Sequence, residues 1–380
     1  MELGNALLVA FLVLYLPLAL LFVVLVVANR NAESRPTPLP VPGRRLLIAI
    51  CSNGEAAPVV GRIIRRLESY RLGPMGITAI VEESDTSDYG VPTVIVPAAY
   101  RPPNGSLDKH RALHYFSQWL RRNGYGPETY VVHLDDDSIV TRRYLEHVLG
   151  MQSEAGQGAL RLRAIGDHWF STVADFGRAI NCATYCTFFN QRGRPVGVHG
   201  EGLVLRADVE SELGWDFQPV CAEDFLMGQS VVNRGFRFDF IPGGIYIAPP
   251  TSTRDFYEQR RRWVHRFFAS LRNCWSSNPA ATAWFVWQAL GGGLVAIGLA
   301  SWAVLTLAPS HPAYALLAGT TFCFVVTLIA YQWQASQTGM VRWNLIALAL
   351  FVPAAAYNSC TFFYYLFTRR PQRWVSIRKV

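Results

Sequence analysis

Three consecutive acids, Asp135, Asp136 and Asp137, end an apolar run that reads Tyr130-Val131-Val132-His133-Leu134. Adjacent carboxylates repel one another unless a cation joins them, and their hard oxygen donors suit Mg²⁺ or Mn²⁺. The run has the character of a buried parallel strand, so the acids fall at its carboxyl end, where open α/β sheets bind ligands. That placement implies a metal and phosphate site; a solvated acidic turn is the competing reading. Glu82, Glu83 and Asp85 follow a second strand-like run, 77–81, and can share the same crevice. Ala222-Glu223-Asp224 opens a helical pattern, where acids also complement the helix dipole. Gly197-Val198-His199-Gly200-Glu201-Gly202 reads as a flexible loop near a ligand. Gln259-Arg260-Arg261-Arg262-Trp263 lies in a segment, 254–273, that sets Phe256, Phe267 and Phe268 beside many Arg. This is the pattern of an amphipathic helix on a membrane surface.

Strands alternating with helices must position these groups. Residues 46–51, 77–81, 93–96 and the run ending in the three acids read as strands; 57–70 and 107–122 read as amphipathic helices. The alternation argues for an α/β domain with a mostly parallel sheet. Beyond residue 155 the pattern is less regular. A short strand at 203–205, a helix from 222 to 233 and a strand at 236–241 are expected there.

The chain has 380 residues, of which 51% are hydrophobic, with a net charge of +8. Its mean hydropathy of +0.17 is high for a soluble protein, and the excess sits at the two ends. Residues 6–28 are long and apolar enough to cross a bilayer at roughly 20 residues per span. Further candidates lie at 281–307, 313–333 and 343–368. No basic residue precedes the first segment, whereas Arg30, Arg35, Arg44 and Arg45 follow it, which places the central domain in the cytoplasm. The expected product is a multi-pass integral membrane protein: an anchor at 1–30, a linker at 31–44, an α/β domain at 45–250, an interfacial region at 251–276, about three membrane helices at 277–368 and a basic tail at 369–380. Four full crossings would put that tail outside, against the positive-inside rule, unless the last segment, with Pro353 and Asn358, is re-entrant. The positive charge lies mostly near the membrane, so anionic lipid explains it better than nucleic acid. Seven scattered cysteines without a CxxC pair read as reduced thiols; the spacing of Cys182 and Cys186 fits one helix face as well as a metal site.

In this order, Asp135-x-Asp137, Glu223-Asp224 and Gln259-x-x-Arg262-Trp263 resemble the signature of membrane-embedded family 2 glycosyltransferases, whose soluble domain has the GT-A fold. Cellulose and hyaluronan synthases carry the same set. His133-Leu134-Asp135, His199-Gly200, Ala222-Glu223-Asp224, the run from Phe256 to Trp263 and Lys109-His110-Arg111-Ala112-Leu113 are similar to the egghead-type β-1,4-mannosyltransferases. The resemblance covers about residues 45–275. It implies a transferase that moves a hexose from a nucleotide sugar, GDP-mannose or UDP-glucose in type, to a lipid-linked or membrane-presented glycan, inverting the anomeric carbon. Asp135 and Asp137 would hold Mn²⁺ or Mg²⁺ on the donor diphosphate. Asp136 faces the other way on an extended strand and is assigned to the nucleotide-sugar pocket. Ser52, Asn53, Glu55, and Glu82 or Glu83 would line that pocket, with Lys109 and Gln259 near the phosphates. The family usually has Asp after the second strand where this chain has Glu82-Glu83. Asp224 would be the general base, Glu223 its helper or a cap, and Arg262 the cation facing the departing diphosphate. Trp263 would offer a flat face to the acceptor sugar, with His199, Gly200 and Glu201 bordering that pocket. A processive polysaccharide synthase is the alternative within the class, although the chain offers few crossing helices for a channel. A non-catalytic nucleotide-sensing scaffold and a nucleotidyl- or phosphotransferase are the alternatives outside it.

Overall fold

A 27-residue helix, α1 (Glu2–Ala28), leads into the Pro-rich stretch that precedes the sheet. The computed structural model describes residues 2–162, 169–287 and 311–337, with isolated positions between 298 and 368. Several α1 side chains, all in its N-terminal two thirds, lie outside the described set. Among the described residues no helix is long and apolar enough to cross a membrane. The segments expected at 281–307 and 343–368 and the basic tail fall largely or wholly outside the described residues. The stretch at 31–44 is not a free linker. Val41 N donates to Leu149 O at 2.9 Å, and Glu33 Oε2 accepts from Arg161 and from Gly243 N, each at 3.0 Å.

The core is a set of βα units. Strand β1 (Arg45–Cys51) is followed by α2 (Ala57–Glu68), β2 (Met75–Glu82), β3 (Thr93–Val96), α3 (Asp108–Arg122) and β4 (Thr129–Asp135). Helix α2 buries Val59, Val60, Ile63, Ile64 and Leu67 on one stripe. Five such side chains contribute on the order of 10 kcal/mol of gross apolar burial. The chain continues through β5 (Ile139–Val140), α4 (Arg142–Gly150), β6 (Ala155–Gln157), β7 (Leu160–Leu162) and α5 (Trp169–Asn181). A π-helical turn (Cys182–Cys186) then runs into α6 (Thr187–Asn190). After these come β8 (Val204–Arg206), α7 (Ala207–Leu213), α8 (Glu223–Asn233), β9 (Phe238–Phe240), β10 (Ile245–Ile247), α9 (Thr253–Ala269), α10 (Leu271–Ser277) and α11 (His311–Gln337).

Seven strands form one sheet in the order β3-β2-β1-β4-β8-β6-β9, and β5-β10-β7 form a second. The β3-β2-β1-β4 half is wholly parallel, with Ile50 opposite Leu134 and Cys51 opposite Asp135. The order reverses between β1 and β4, so their carboxyl ends open the crevice that such sheets use for ligands. β8 runs antiparallel to both β4 and β6.

The structure departs from the sequence pattern in three places. β4 ends at Asp135, and Asp136 and Asp137 lie in a turn closed by Ser138 N to Asp135 O at 3.1 Å. Strand alternation therefore does not orient Asp136. The irregular stretch after residue 155 holds two short strands and helix α5, which its mixed composition concealed. The amphipathic stretch at 254–273 is two helices, because Ser270 breaks it and bonds its Oγ to Arg266 O at 3.0 Å. Rings of α9 also pack on protein: Phe256 and Tyr257 lie 4.9 and 5.2 Å from Tyr357.

A buried polar network holds α7 against β4. Glu210, fully buried, places Oε2 3.0 Å from His133 Nε2 and accepts from Trp215 Nε1 at 2.9 Å through Oε1. Removing the carboxylate strands two buried partners. Glu210→Ala is expected to destabilise the chain by about 3–5 kcal/mol, read as a large fall in melting temperature of the detergent-purified protein; an unchanged melting temperature would contradict this role.

Candidate active site

Helix α3 opens with three basic side chains in succession, and each meets a different acid. Lys109 Nζ donates to Asp135 Oδ1 at 2.6 Å, at the end of β4. His110 Nε2 lies 2.7 Å from Glu223 Oε2, at the start of α8. Arg111 donates to Glu82 Oε2, at the end of β2. Cations in a first helical turn oppose the helix dipole, so Lys109 and Arg111 are placed for their partners rather than for the helix. Asp108, just before them, takes a left-handed φ of 52° and receives Arg266 Nη2 of α9 at 3.2 Å. Two strand ends, two helix starts and α9 therefore converge on one crevice.

Glu223 and Asp224 are neighbours with opposite electrostatic fates. Burial opposes ionisation of Glu223, but His110, Lys109 and Arg266 outweigh it and hold the carboxyl well below the usual range. For Asp224, burial and then the Glu223 charge push the carboxyl well up, with Lys109 opposing. Asp224 Oδ1 is buried and has no hydrogen-bond partner among the described residues. Gly200 packs directly on this group: a Cβ there would meet Lys109 Nζ at 2.5 Å and Asp224 Oδ2 at 3.0 Å. A side chain there would have to displace the Lys109 ammonium and crowd the Asp224 carboxylate.

The Asp triad sits beside this carboxylate. Asp137 is buried and Asp136 half-buried. Arg262 of α9 is within electrostatic reach of both Asp135 and Asp137; burial and Arg266 push its guanidinium below the ordinary value, while Asp135, Glu223 and Asp137 oppose them. The donor set therefore fits a hard divalent cation, being acidic, oxygen-rich and here neutralised by side-chain cations.

On the other wall, Gln157 of β6 clamps the loop. Its Nε2 donates to His199 O and, at 2.9 Å, to Glu201 O, while its Oε1 accepts from His199 N at 3.0 Å. Glu201 pairs with Arg178 of α5 at 2.7 Å; burial alone would raise its carboxyl, but Arg178 and His199 hold it down at about 2. Arg178 and Arg260 place their guanidinium carbons 4.6 and 4.5 Å from the centroid of the Trp263 ring. That indole is a cation–π partner, in contrast to the open sugar platform expected from the sequence. Gln259 is buried and accepts from Arg260 Nη1 at 2.9 Å, and Arg260 also pairs with the buried Asp175.

The nucleotide side of the crevice gathers around Ser52. Tyr89 OH donates to Asp85 Oδ2 at 2.6 Å and accepts from Ser52 Oγ at 3.1 Å. Gly54, at a φ of 89°, leaves the space that Asp85 fills. Asn53 Oδ1 accepts from Glu55 N at 3.2 Å, an Asx turn with both residues exposed. Of the two acids expected here, Glu82 is engaged by Arg111, and Glu83 is exposed and bonded to Ala98 N at 2.7 Å. Asp85 is thus the acid that the fold directs to Ser52. Sequence reading named Glu82 and Glu83 from this stretch for the nucleotide pocket, and not Asp85. It also passed over His110, Gln157, Asp175 and Arg178. His110 was legible in the Lys-His-Arg run as a third basic side chain; the others carry no local signal.

This fold and this ordering of acids and cations define a glycosyltransferase-type centre, and the chain belongs to glycosyl transferase family group 2, whose family model matches residues 130–368. Its relatives include β-1,4-mannosyltransferase bre-3 of Caenorhabditis briggsae, 28% identical over 224 residues, 56% of this chain and 46% of that protein. β-1,4-Mannosyltransferase egh of Drosophila melanogaster is 27% identical over 180 residues, 45% of this chain and 39% of that protein. The matched part spans less than half the length of these relatives. Mannosyltransferase PcManGT from Pyrobaculum calidifontis, solved in complex with GDP-Man and Mn²⁺, aligns with a TM-score of 0.59 at 16% identity, covering 96% of this chain and 99% of that one. That likeness shows a shared GT-A-like α/β fold.

The two neighbouring acids should respond oppositely to neutralisation. Asp224→Asn removes a buried like charge and is expected to leave the melting temperature unchanged or raise it by a few degrees. His110→Ala leaves Glu223 buried without its partner and is expected to cost about 3 kcal/mol. Parallel thermal melts of the two variants at neutral pH check both; a destabilised Asp224→Asn would mean that the charge is compensated.

Proposed function

We propose that the chain is an inverting, metal-dependent hexosyltransferase of the membrane surface. It moves mannose from GDP-mannose, or glucose from UDP-glucose, to a lipid-linked or membrane-presented glycan. The observation that carries this reading is the buried, under-partnered Asp224 carboxyl next to Lys109 and the Asp135 end of β4. A scaffold would gain stability by replacing such a group; a general base requires it. The mannosyltransferase relatives and the fold shared with a GDP-Man-bound enzyme favour mannose among the donors.

Asp135 and Asp137 would hold the divalent cation, Mn²⁺ or Mg²⁺, which when bound neutralises charge on the donor diphosphate. Ser52, Asn53, Glu55 and Asp85 line the nucleoside side, with Glu82, Glu83 and Asp136 at its rim. Asp224 takes the proton from the acceptor hydroxyl as that oxygen bonds to the anomeric carbon from the face opposite the leaving group. The bond from that carbon to the phosphate oxygen breaks, and its electron pair leaves with the nucleoside diphosphate. Lys109 and Arg262 stabilise that developing charge, and Gln259 fixes the start of the helix turn that carries Arg262. Inversion converts an α-linked donor into a β-linked product. Glu223 stays ionised against His110 and raises the basicity of Asp224. Gly200 clears the approach to the base, and the His199–Glu201 backbone held by Gln157 forms the acceptor wall. Trp263 orients Arg178 and Arg260 behind that wall.

Membrane attachment would suit such an acceptor. Residues 6–28 and the apolar stretches between 281 and 368 would anchor the chain, with the catalytic domain on the cytoplasmic, Arg-flanked side.

Thermal stabilisation of the detergent-purified chain tests the donor and the metal without knowledge of the acceptor. GDP with Mn²⁺ at about 100 times its dissociation constant is expected to stabilise by about 2.7 kcal/mol, with a smaller effect for UDP and none without metal. Asp137→Ala should abolish the shift. Asp224→Asn should keep it while lowering transfer by about 10²–10⁴-fold. A folded protein that responds to neither nucleotide would overturn the reading, and a response to UDP alone would reassign the donor.

A further inference from the structure

The loop that faces Asp224 is also joined to a second cluster, which the transfer chemistry leaves unused. Cys182 and Cys186 are buried at the two ends of the π-helical turn, and His199 reaches them from the loop. One ligand atom from each of the three residues lies within 4.8 Å of the others. Cys186 Sγ and His199 Nε2 are 3.6 Å apart. A tetrahedral zinc ion with Zn–S of about 2.3 Å and Zn–N of about 2.0 Å sets its sulfur and nitrogen ligands about 3.6 Å apart. The remaining separation closes with small side-chain rotations. Leu160 N donates to Cys182 Sγ at 3.4 Å, the kind of backbone bond that supports a metal thiolate. Two soft sulfurs and an imidazole select zinc over the hard cations that suit Asp135 and Asp137.

The turn itself is held from outside. Asn29 Nδ2 donates to Thr184 O at 2.6 Å, and Gln334 Nε2 of α11 donates to Ala183 O at 3.0 Å. π-Helical turns are frequent at functional sites. At Gly197 a Cβ would meet Cys186 Sγ at 3.0 Å, so the loop enters the cluster closely.

We propose that Cys182, Cys186 and His199 form a zinc site, distinct from the Asp135–Asp137 site, that pins the Gly197–Gly202 loop to the π-helical turn. Water would complete the coordination, because Glu201 is engaged by Arg178. The site fixes the loop backbone opposite Asp224 from behind, and it does not depend on which sugar is transferred.

Metal analysis of the full chain, purified in detergent without chelators and supplied with Zn²⁺, tests the site. About one zinc per chain is expected. It should persist in Asp137→Ala and fall to background in Cys182→Ser and Cys186→Ser, with His199→Ala weakening it. Replacement of zinc by Co²⁺ should give the visible absorption of a tetrahedral thiolate site in the unaltered protein, a readout that needs no variant. Folded protein that binds neither Zn²⁺ nor Co²⁺ in excess would overturn the proposal. So would zinc retained at full occupancy in both Cys variants, or a Cys182–Cys186 disulfide found by mass spectrometry.

Discussion

The pairing of three successive basic side chains with three separate acids at the start of α3 is the constraint on which the site depends. Lys109, His110 and Arg111 connect the ends of β4 and β2 to the first turn of α8. Each pair is wholly or largely shielded from water, where breaking one partner is costly. The adverse placement of cations at a helix start is offset by the acids that surround it. Without this arrangement the two strand ends would repel each other and α8 would lose its counter-charge.

The same arrangement leaves one acid out. Glu223 is held ionised beside His110, and its neighbour Asp224 faces burial and a like charge that Lys109 only partly opposes. Two adjacent carboxyl groups are thus driven apart in proton affinity by their environments, the pattern that separates a structural carboxylate from a reactive one. Gly200 completes the asymmetry, because any side chain there would occupy the space in front of Asp224.

The second wall is built on different physics. Gln157 fixes the backbone of His199 and Glu201 by amide bonds, and the Arg178–Glu201 pair is braced by the Trp263 ring and by Arg260. Helix α9 therefore contributes through both faces: Arg262 and Arg266 toward the acids, and Arg260 and Trp263 toward the loop. The amphipathic pattern that reads as a membrane-surface helix also carries side chains to both walls of the site.

The sequence by itself determined the parallel strands, the α2 and α3 stripes, and the acids at the end of β4 and the start of α8. Those features are local: hydrophobic period, strand polarity and adjacency of charge act within a few residues. It also pointed to Asp135, Asp137, Asp224 and Arg262 through their order along the chain. Only the tertiary structure decided that Asp85 rather than Glu82 or Glu83 faces Ser52, because Arg111 and the Ala98 backbone claim the other two. It also brought Gln157 and Arg178 to the loop, paired Asp175 with Arg260 and set two guanidiniums on Trp263. Their partners stand between 23 and 85 positions away in the sequence, and no local pattern encodes which distant acid or ring a lone Arg or Gln will meet. The short strands after residue 155 were hidden for the same reason, since their pairing with β8, β9 and β10 rather than their own composition makes them strands.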